Sequence, residues 1–240
     1  MNKNQILFTE KSSLSDFKTV LKKDSPKNIF LVTGEKSYSS SGSEKIINEL
    51  LVKYSFHRFS EFNKNPKIED VHKGISLFKK NKCDYVIAIG GGSVMDMAKL
   101  INVGQAQNKN IEEIIIKNKK LNSCGKKLIV IPTTSGSGSE ATHFAVVYIN
   151  SKKYSLAHTD YLLPDVVFLW PFLTYSLSSY QTAVSGIDAF SQSIESYWSI
   201  SSNEESKKYA TQAIEIILNN LGDAVIKNSL ISKNKMIYAS

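Results

Sequence analysis

Three stretches of the chain hold residue types that can do chemistry at their spacings. Gly90-Gly91-Gly92-Ser93 follows the apolar run Tyr85-Val86-Ile87-Ala88-Ile89 and leads into a helical stretch. Glycines admit positive φ and let a ligand approach the backbone. A helix N-terminus offers free N–H groups and the positive end of a dipole to a phosphate. Ser93 can cap that helix, and Asp96, three residues on, can close a capping box. The alternative is a plain tight turn, and the pattern is not the G-x-G-x-x-G dinucleotide fingerprint. Pro132-Thr133-Thr134-Ser135-Gly136-Ser137-Gly138-Ser139-Glu140 also follows an apolar run and is dense in hydroxyls. Such a loop can hydrogen-bond ribose and phosphate oxygens, or it can be a hydrophilic surface loop. Its place after a parallel strand favours a site, because ligands gather at the carboxyl ends of such strands. In the third stretch, Asp188 and Gln192 stand four apart and share a helix face, with Glu195 three further on. A carboxylate and a carboxamide there can ligate a metal through oxygen, or simply face water.

These stretches need strand-to-helix junctions to position them, and the apolar pattern supplies them. Residues 28–33, 55–62, 85–89 and 128–131 read as strands, and 43–53, 68–80 and 93–103 as helices. Alternation of this kind means βαβ units and a parallel sheet. From Pro171 the pattern turns helical, over 173–199 and 202–221, the second opened by a capping box of Ser202 with Glu205. The expected fold is α/β followed by α: a parallel-sheet dinucleotide-binding domain over 1–165 and an incomplete all-α metal-binding domain over 166–240. Met236-Ile237-Tyr238-Ala239-Ser240 reads as the opening of another helix, so a C-terminally truncated chain is expected.

Composition narrows the function classes. The 240 residues are 42% hydrophobic and 22% charged, ordinary globular values that exclude bulk disorder. Net charge is +8, but the positive residues are Lys apart from the single Arg58, spread in ones and twos. That is a solvated surface rather than a nucleic-acid patch. No apolar run approaches the ~20 residues that span a bilayer, and Met1-Asn2-Lys3-Asn4-Gln5 precedes no secretory signal. Cys83 and Cys124 exclude a disulfide framework and a Cys-based zinc module. A cytoplasmic protein that binds neither nucleic acid nor membrane is expected.

The three stretches also occur together, in order and at plausible separations. Gly90-Gly91-Gly92-Ser93-x-x-Asp96-x-Ala98-Lys99, Pro132-Thr133-Thr134-x-Gly136-Ser137-Gly138-Ser139-Glu140 and Gly186-Ile187-Asp188-Ala189 resemble the iron-containing (group III) alcohol dehydrogenase family. The resemblance runs over essentially the whole chain, from 28 to 221, and family members are considerably longer. It implies reversible hydride transfer between NAD(P)H and a small aldehyde or alcohol. A divalent Fe or Zn would polarise the carbonyl as a Lewis acid. It implies that Gly91, Gly92 and Ser93 hold the cofactor pyrophosphate with Asp96 nearby, and that Thr133, Thr134 and Ser137 contact the nicotinamide side. Lys153 matches a lysine on the nicotinamide ribose, and Asn65, in Asn65-Pro66, a residue near the cofactor. Gly34 stands where the family's NAD users carry Asp, and Lys36 and Ser37 beside it could meet a 2′-phosphate, with Glu35 opposing. NADPH is therefore expected to be accepted at least as well as NADH, in a protein that can form a homodimer.

The departures concern the metal. The family holds it with one Asp and three His; the Asp matches Asp188, but the first His position is Gln192 and the other two would lie beyond Ser240. His57, His72, His143 and His158 match none of them, Ser178 replaces an expected Pro, and Trp170 an expected acidic residue. The segments 141–148, 153–158 and 191–199 look like the branch that reduces phosphonoacetaldehyde to 2-hydroxyethylphosphonate, and that branch carries Gln at the position of Gln192. His143 or His158 could touch an anionic substrate group or be satisfied structurally. Two alternatives stand beside this reading: a non-catalytic nucleotide-binding remnant, and a lyase of the dehydroquinate-synthase type, against which the hydroxyl-rich loop argues.

Overall fold

The computed structural model describes residues 4–9 and 13–240; the leading Met1-Asn2-Lys3 lies outside them. The chain forms two compact units, Met1–Pro132 with Ser139–Leu169, and Thr133–Gly138 with Trp170–Ser240.

The first unit runs β1 (Ile6–Thr9), α1 (Ser13–Asp24), β2 (Asn28–Thr33), α2 (Ser37–Ser40), α3 (Ser43–Leu50), β3 (Ser55–Phe59), α4 (Ile68–Lys80), β4 (Tyr85–Gly90), α5 (Gly92–Ala106), α6 (Ile111–Ile116), β5 (Leu128–Pro132), β6 (Phe144–Ile149), β7 (Lys152–Ala157) and β8 (Val166–Leu169). Six strands form one parallel sheet in the order β1-β8-β5-β4-β2-β3. Every residue of β4, β5 and β8 is buried. This explains why they read as continuous apolar runs: a strand covered on both faces has no polar side. β6 and β7 make a separate antiparallel hairpin. Its two-residue turn, Asn150-Ser151, has positive φ at both positions, 49° and 64°. That matches the twist of the flanking strands, and α5 packs between the parallel sheet and this hairpin.

The second unit opens with a 3₁₀ turn (Pro171–Thr174) and continues with α7 (Ser179–Trp198), α8 (Glu204–Ile226) and α9 (Leu230–Met236). Ala189, Ile217, Ala224, Met236 and Ala239 form its core. Gly186 lets α7 and α8 approach, since a Cβ there would lie 2.3 Å from Leu221 Cδ1. Lys233 on α9 donates to the carbonyls of Tyr175 (3.1 Å) and Leu177 (2.9 Å) ahead of α7.

Several local expectations are corrected. The second long helix is capped by Asn203, in a capping box with Ser206 rather than Ser202 with Glu205. Asn203 is the last extended residue, so its side chain is the one that reaches the orphan N–H groups. Met236-Ile237-Tyr238-Ala239-Ser240 does not open a helix: Met236 is the last residue of α9, and Tyr238 and Ala239 bond back to Lys235 and Met236 in a closing turn. The helices expected over 43–53 and 93–103 span Ser43–Leu50 and Gly92–Ala106, and the strand expected over 55–62 stops at Phe59. The helix expected over 173–199 starts at Ser179, because Ser178 in extended conformation caps it.

Candidate functional site

The chain passes from β2 to β3 on one side and then returns to β4 on the other side of β2. Connections leaving β2 and β4 therefore diverge, and the crevice outside their carboxyl ends is where a doubly wound sheet takes a ligand. β4 ends there at Gly90. A Cβ on Gly90 would lie 2.5 Å from Val94 Cγ2, so only glycine permits so abrupt an entry into α5. The expected Ser93–Asp96 capping box does not form: α5 starts at Gly92, its N-cap is Gly91, and no side chain caps it. Val94 and Met95 bond to the Gly91 carbonyl. The N–H groups ahead of them, those of Gly92 and Ser93, lack intrahelical acceptors and suit an anionic oxygen. A side-chain cap would have used up these donors.

β2 ends at the neighbouring position. A Cβ on Gly34 would lie 2.2 Å from Ser37 Oγ and 3.8 Å from Val94 Cγ2, so the two strand ends share Val94 as a neighbour. Arg58, at the end of β3, crosses this turn. Its Nε donates to Thr33 Oγ1 (2.8 Å) and its Nη2 to the carbonyls of Gly34 (3.3 Å) and Glu35 (3.2 Å). The guanidinium lies 4.6 Å over the Tyr38 ring.

Asp96 faces the hairpin. Ser139 Oγ donates to its Oδ1 (2.8 Å) and the Val146 N–H to its Oδ2 (3.1 Å). Burial pushes its carboxyl upward, opposed by these two hydrogen bonds and by the charges of Lys99 and Lys153. Lys99, one turn on and fully buried, donates to the carbonyls of Ser139 (2.6 Å), Thr142 (2.8 Å) and Phe144 (2.9 Å). Burial pushes its ammonium down to about 8, with Asp96 and Glu140 opposing. Asp96 and Lys99 thus rivet the hairpin to α5. On that hairpin Lys153 pairs with Tyr148, whose N–H donates to the Pro66 carbonyl at 2.7 Å. Tyr148 thus links the strand of Lys153 to the segment that follows Asn65, and both residues are exposed.

In the second unit Thr133 is buried, while Thr134 and Ser137 are half-buried. Gly136 lies against α7, where a Cβ would meet the Ser185 carbonyl at 2.4 Å. Gln192 Nε2 donates to the Gly136 carbonyl at 3.3 Å, so this side chain ties α7 to the loop. Asp188, one turn earlier, is exposed. Among the described residues no group of three or more His, Cys, Asp or Glu could hold a metal ion. Asp188 and Gln192 supply two oxygen donors from one helix turn, short of the three protein ligands of a catalytic zinc site. The described residues do not complete a metal site.

Three histidines make contacts of their own. His158 Nδ1 accepts from the Asp160 and Tyr161 N–H groups (3.3 Å each) and its ring stacks on Tyr161. His143 lies against Phe144, and His72 Nε2 contacts Asn110 Oδ1. Sequence reasoning passed over Arg58 and the structural part of Lys99. Each carried a signal: one is the sole Arg in a Lys-rich chain, the other a Lys inside the otherwise apolar helix Met97-Ala98-Lys99-Leu100-Ile101.

Comparison with known proteins agrees with this fold. The profile of iron-containing alcohol dehydrogenases matches residues 4–171, and that of the C-terminal part of the Fe-containing alcohol dehydrogenase family matches residues 182–240. A long-chain-alcohol dehydrogenase of Geobacillus thermodenitrificans is 35% identical over 178 residues, 73% of this chain and 45% of that protein. The crystal structure of sulfoacetaldehyde reductase from Bifidobacterium kashiwanohense in complex with NAD+ superposes with a TM-score of 0.91 at 26% identity, over 99% of this chain and 63% of that one. An iron-containing alcohol dehydrogenase of Thermotoga maritima gives 0.89 at 29% identity, over 100% and 66% respectively. The chain spans about half the length of the curated relative it matches.

Proposed function

The chain belongs to the iron-containing alcohol dehydrogenase family, and from that premise we propose that it takes part in hydride transfer between NAD(P)H and a small aldehyde or alcohol. The observation that carries this reading is the uncapped start of α5 at the switch point of the parallel sheet, reached through the Gly90-Gly91-Gly92 junction at the carboxyl end of β4. Gly91, Gly92 and Ser93 are assigned the pyrophosphate. Asn65 and Lys153 are assigned the ribose side, with Asp96 as the positioning residue that fixes the hairpin carrying Lys153. Thr133, Thr134 and Ser137 are the hydroxyl-bearing residues assigned to the nicotinamide end. The cofactor supplies the hydride; these residues bind and orient it.

For the substrate, the reading favours a two-carbon aldehyde bearing a tetrahedral anion, phosphonoacetaldehyde. It is supported by the sequence segments noted above and by the likeness to a protein described as a sulfoacetaldehyde reductase. His158 is committed to its own turn and is not assigned to this anion. The cytoplasmic location expected from composition belongs to the same reading. A second reading, nucleotide binding without turnover, is favoured by the incomplete set of metal donors. One experiment separates the two: phosphonoacetaldehyde with NADPH deuterated at C4, in the presence of Fe²⁺ or Zn²⁺. Deuterium on the carbinol carbon of 2-hydroxyethylphosphonate supports hydride transfer. Dinucleotide binding with no transfer supports the second reading.

A further inference from the structure

Arg58 is held in a way that leaves part of it unused. Nε and Nη2 are engaged by Thr33 Oγ1 and by the carbonyls of Gly34 and Glu35, and the plane rests on Tyr38, itself 2% exposed. Nη1 has no hydrogen-bond partner among the described residues. A guanidinium fixed on three acceptors and a ring has already lost its rotamer freedom, so a further bond from Nη1 costs little ordering. It sits at the carboxyl end of β2, where NAD-binding sites of doubly wound sheets place an acidic side chain on the ribose 2′-OH. Here that position is Gly34, and Ser37 Oγ fills the space into which a Cβ would project, 2.2 Å away. Lys36 and Ser37 stand exposed on the same turn, whose one carboxylate is that of Glu35.

Resting on the dinucleotide reading above, we propose that Arg58 is the residue that distinguishes the two nicotinamide cofactors, giving Nη1 to a 2′-phosphate while Nε and Nη2 hold the turn at Gly34 and Glu35. Lys36 adds positive charge, and Ser37 offers a hydroxyl. The recognised group is a phosphomonoester on the adenosine ribose. A planar fork suits it better than a point charge would.

The test uses the full chain and two cofactor fragments, 2′,5′-ADP and 5′-AMP, titrated calorimetrically. They differ only in the 2′-phosphate. The wild-type chain is expected to bind 2′,5′-ADP about ten- to a hundredfold more tightly, the usual range for a charge-assisted bond to phosphate. Arg58→Ala should bring the two affinities together with 5′-AMP binding nearly unchanged, and Arg58→Lys should fall between. Equal weakening of both fragments in Arg58→Ala would show that Arg58 only supports the turn and would overturn the proposal, as would wild-type binding that ignores the 2′-phosphate. If Arg58→Ala fails to fold, Arg58→Lys against Glu35→Gln decides: the first should lower and the second raise the preference for 2′,5′-ADP, and no change in either overturns the proposal. Wild-type protein that binds neither fragment would refute the dinucleotide reading itself, a separate result.

Discussion

Lys99 donates to both oxygens of Ser139, 2.6 Å to the carbonyl and 3.2 Å to the hydroxyl, while that hydroxyl donates to Asp96 at 2.8 Å. One turn of α5 thereby fixes the chain where it leaves the hydroxyl-rich loop and enters the hairpin that carries Lys153. The buried ammonium holds these backbone carbonyls in place.

Lys99→Met keeps the bulk but removes the donor, leaving the carbonyls of Ser139, Thr142 and Phe144 without it. Each buried acceptor that loses its partner costs about 1–3 kcal/mol. A loss of roughly 3 kcal/mol or more in urea unfolding is expected, with weaker NADPH binding. Unchanged stability would contradict the rivet.

Gly92→Val places a branched side chain at the first helical residue of α5, at a helix start that no side chain caps. Valine costs less than about 1 kcal/mol in a helix, so the fold should survive with its circular dichroism intact. NADPH affinity measured by calorimetry should fall beyond detection.

Asp70, near the start of α4, opposes burial with hydrogen bonds from Lys73 and Asn63, and its carboxyl is held below the usual range. A carboxyl depressed in the folded state stabilises fully above its unfolded value, about pH 4. That contribution is lost as pH falls through the folded value. Between pH 7 and 3 the wild type should therefore lose more stability than Asp70→Asn, measured by urea midpoints. Parallel curves would show that the Asn63 anchor, and through it the 63–66 segment, does not depend on this charge.

Asp188 and Gln192 alone should hold Zn²⁺ weakly, because two oxygens from one helix turn cannot close a tetrahedron. Competition with a fluorescent zinc indicator should show weak binding, abolished by Asp188→Ala and tightened about tenfold or more by Gln192→His, since imidazole suits zinc better than a carboxamide. Stoichiometric zinc retained through dialysis would place the ligands elsewhere in the chain.

The sequence disclosed what depends on local pattern. β4 and β5 are apolar throughout because both faces are buried, and the Gly90–Gly92 junction shows directly in the residues. Contacts set by tertiary structure were less legible. β1 shows half-exposed residues of an edge strand, with Ile6 51% and Leu7 56% exposed, and lacks the buried signature. The β6–β7 turn uses Asn-Ser in place of the recognisable Asn-Gly. Asp96 read as a cap because its spacing from Ser93 fits one. The hairpin, 50 residues on at Val146, claims the carboxylate instead. Gln192 read as a metal-ligand candidate standing where the family has His, and the sequence did not show that its Nε2 also donates to the Gly136 carbonyl.

The central claim is that a nicotinamide dinucleotide lies at the carboxyl ends of β2 and β4. Backbone hydrogen–deuterium exchange with and without NADPH tests it most directly. The account predicts that slowing concentrates in the peptides covering residues 33–38 and 90–96 and is absent in Gly92→Val. Slowing confined to other segments, or none at saturating NADPH, would contradict it.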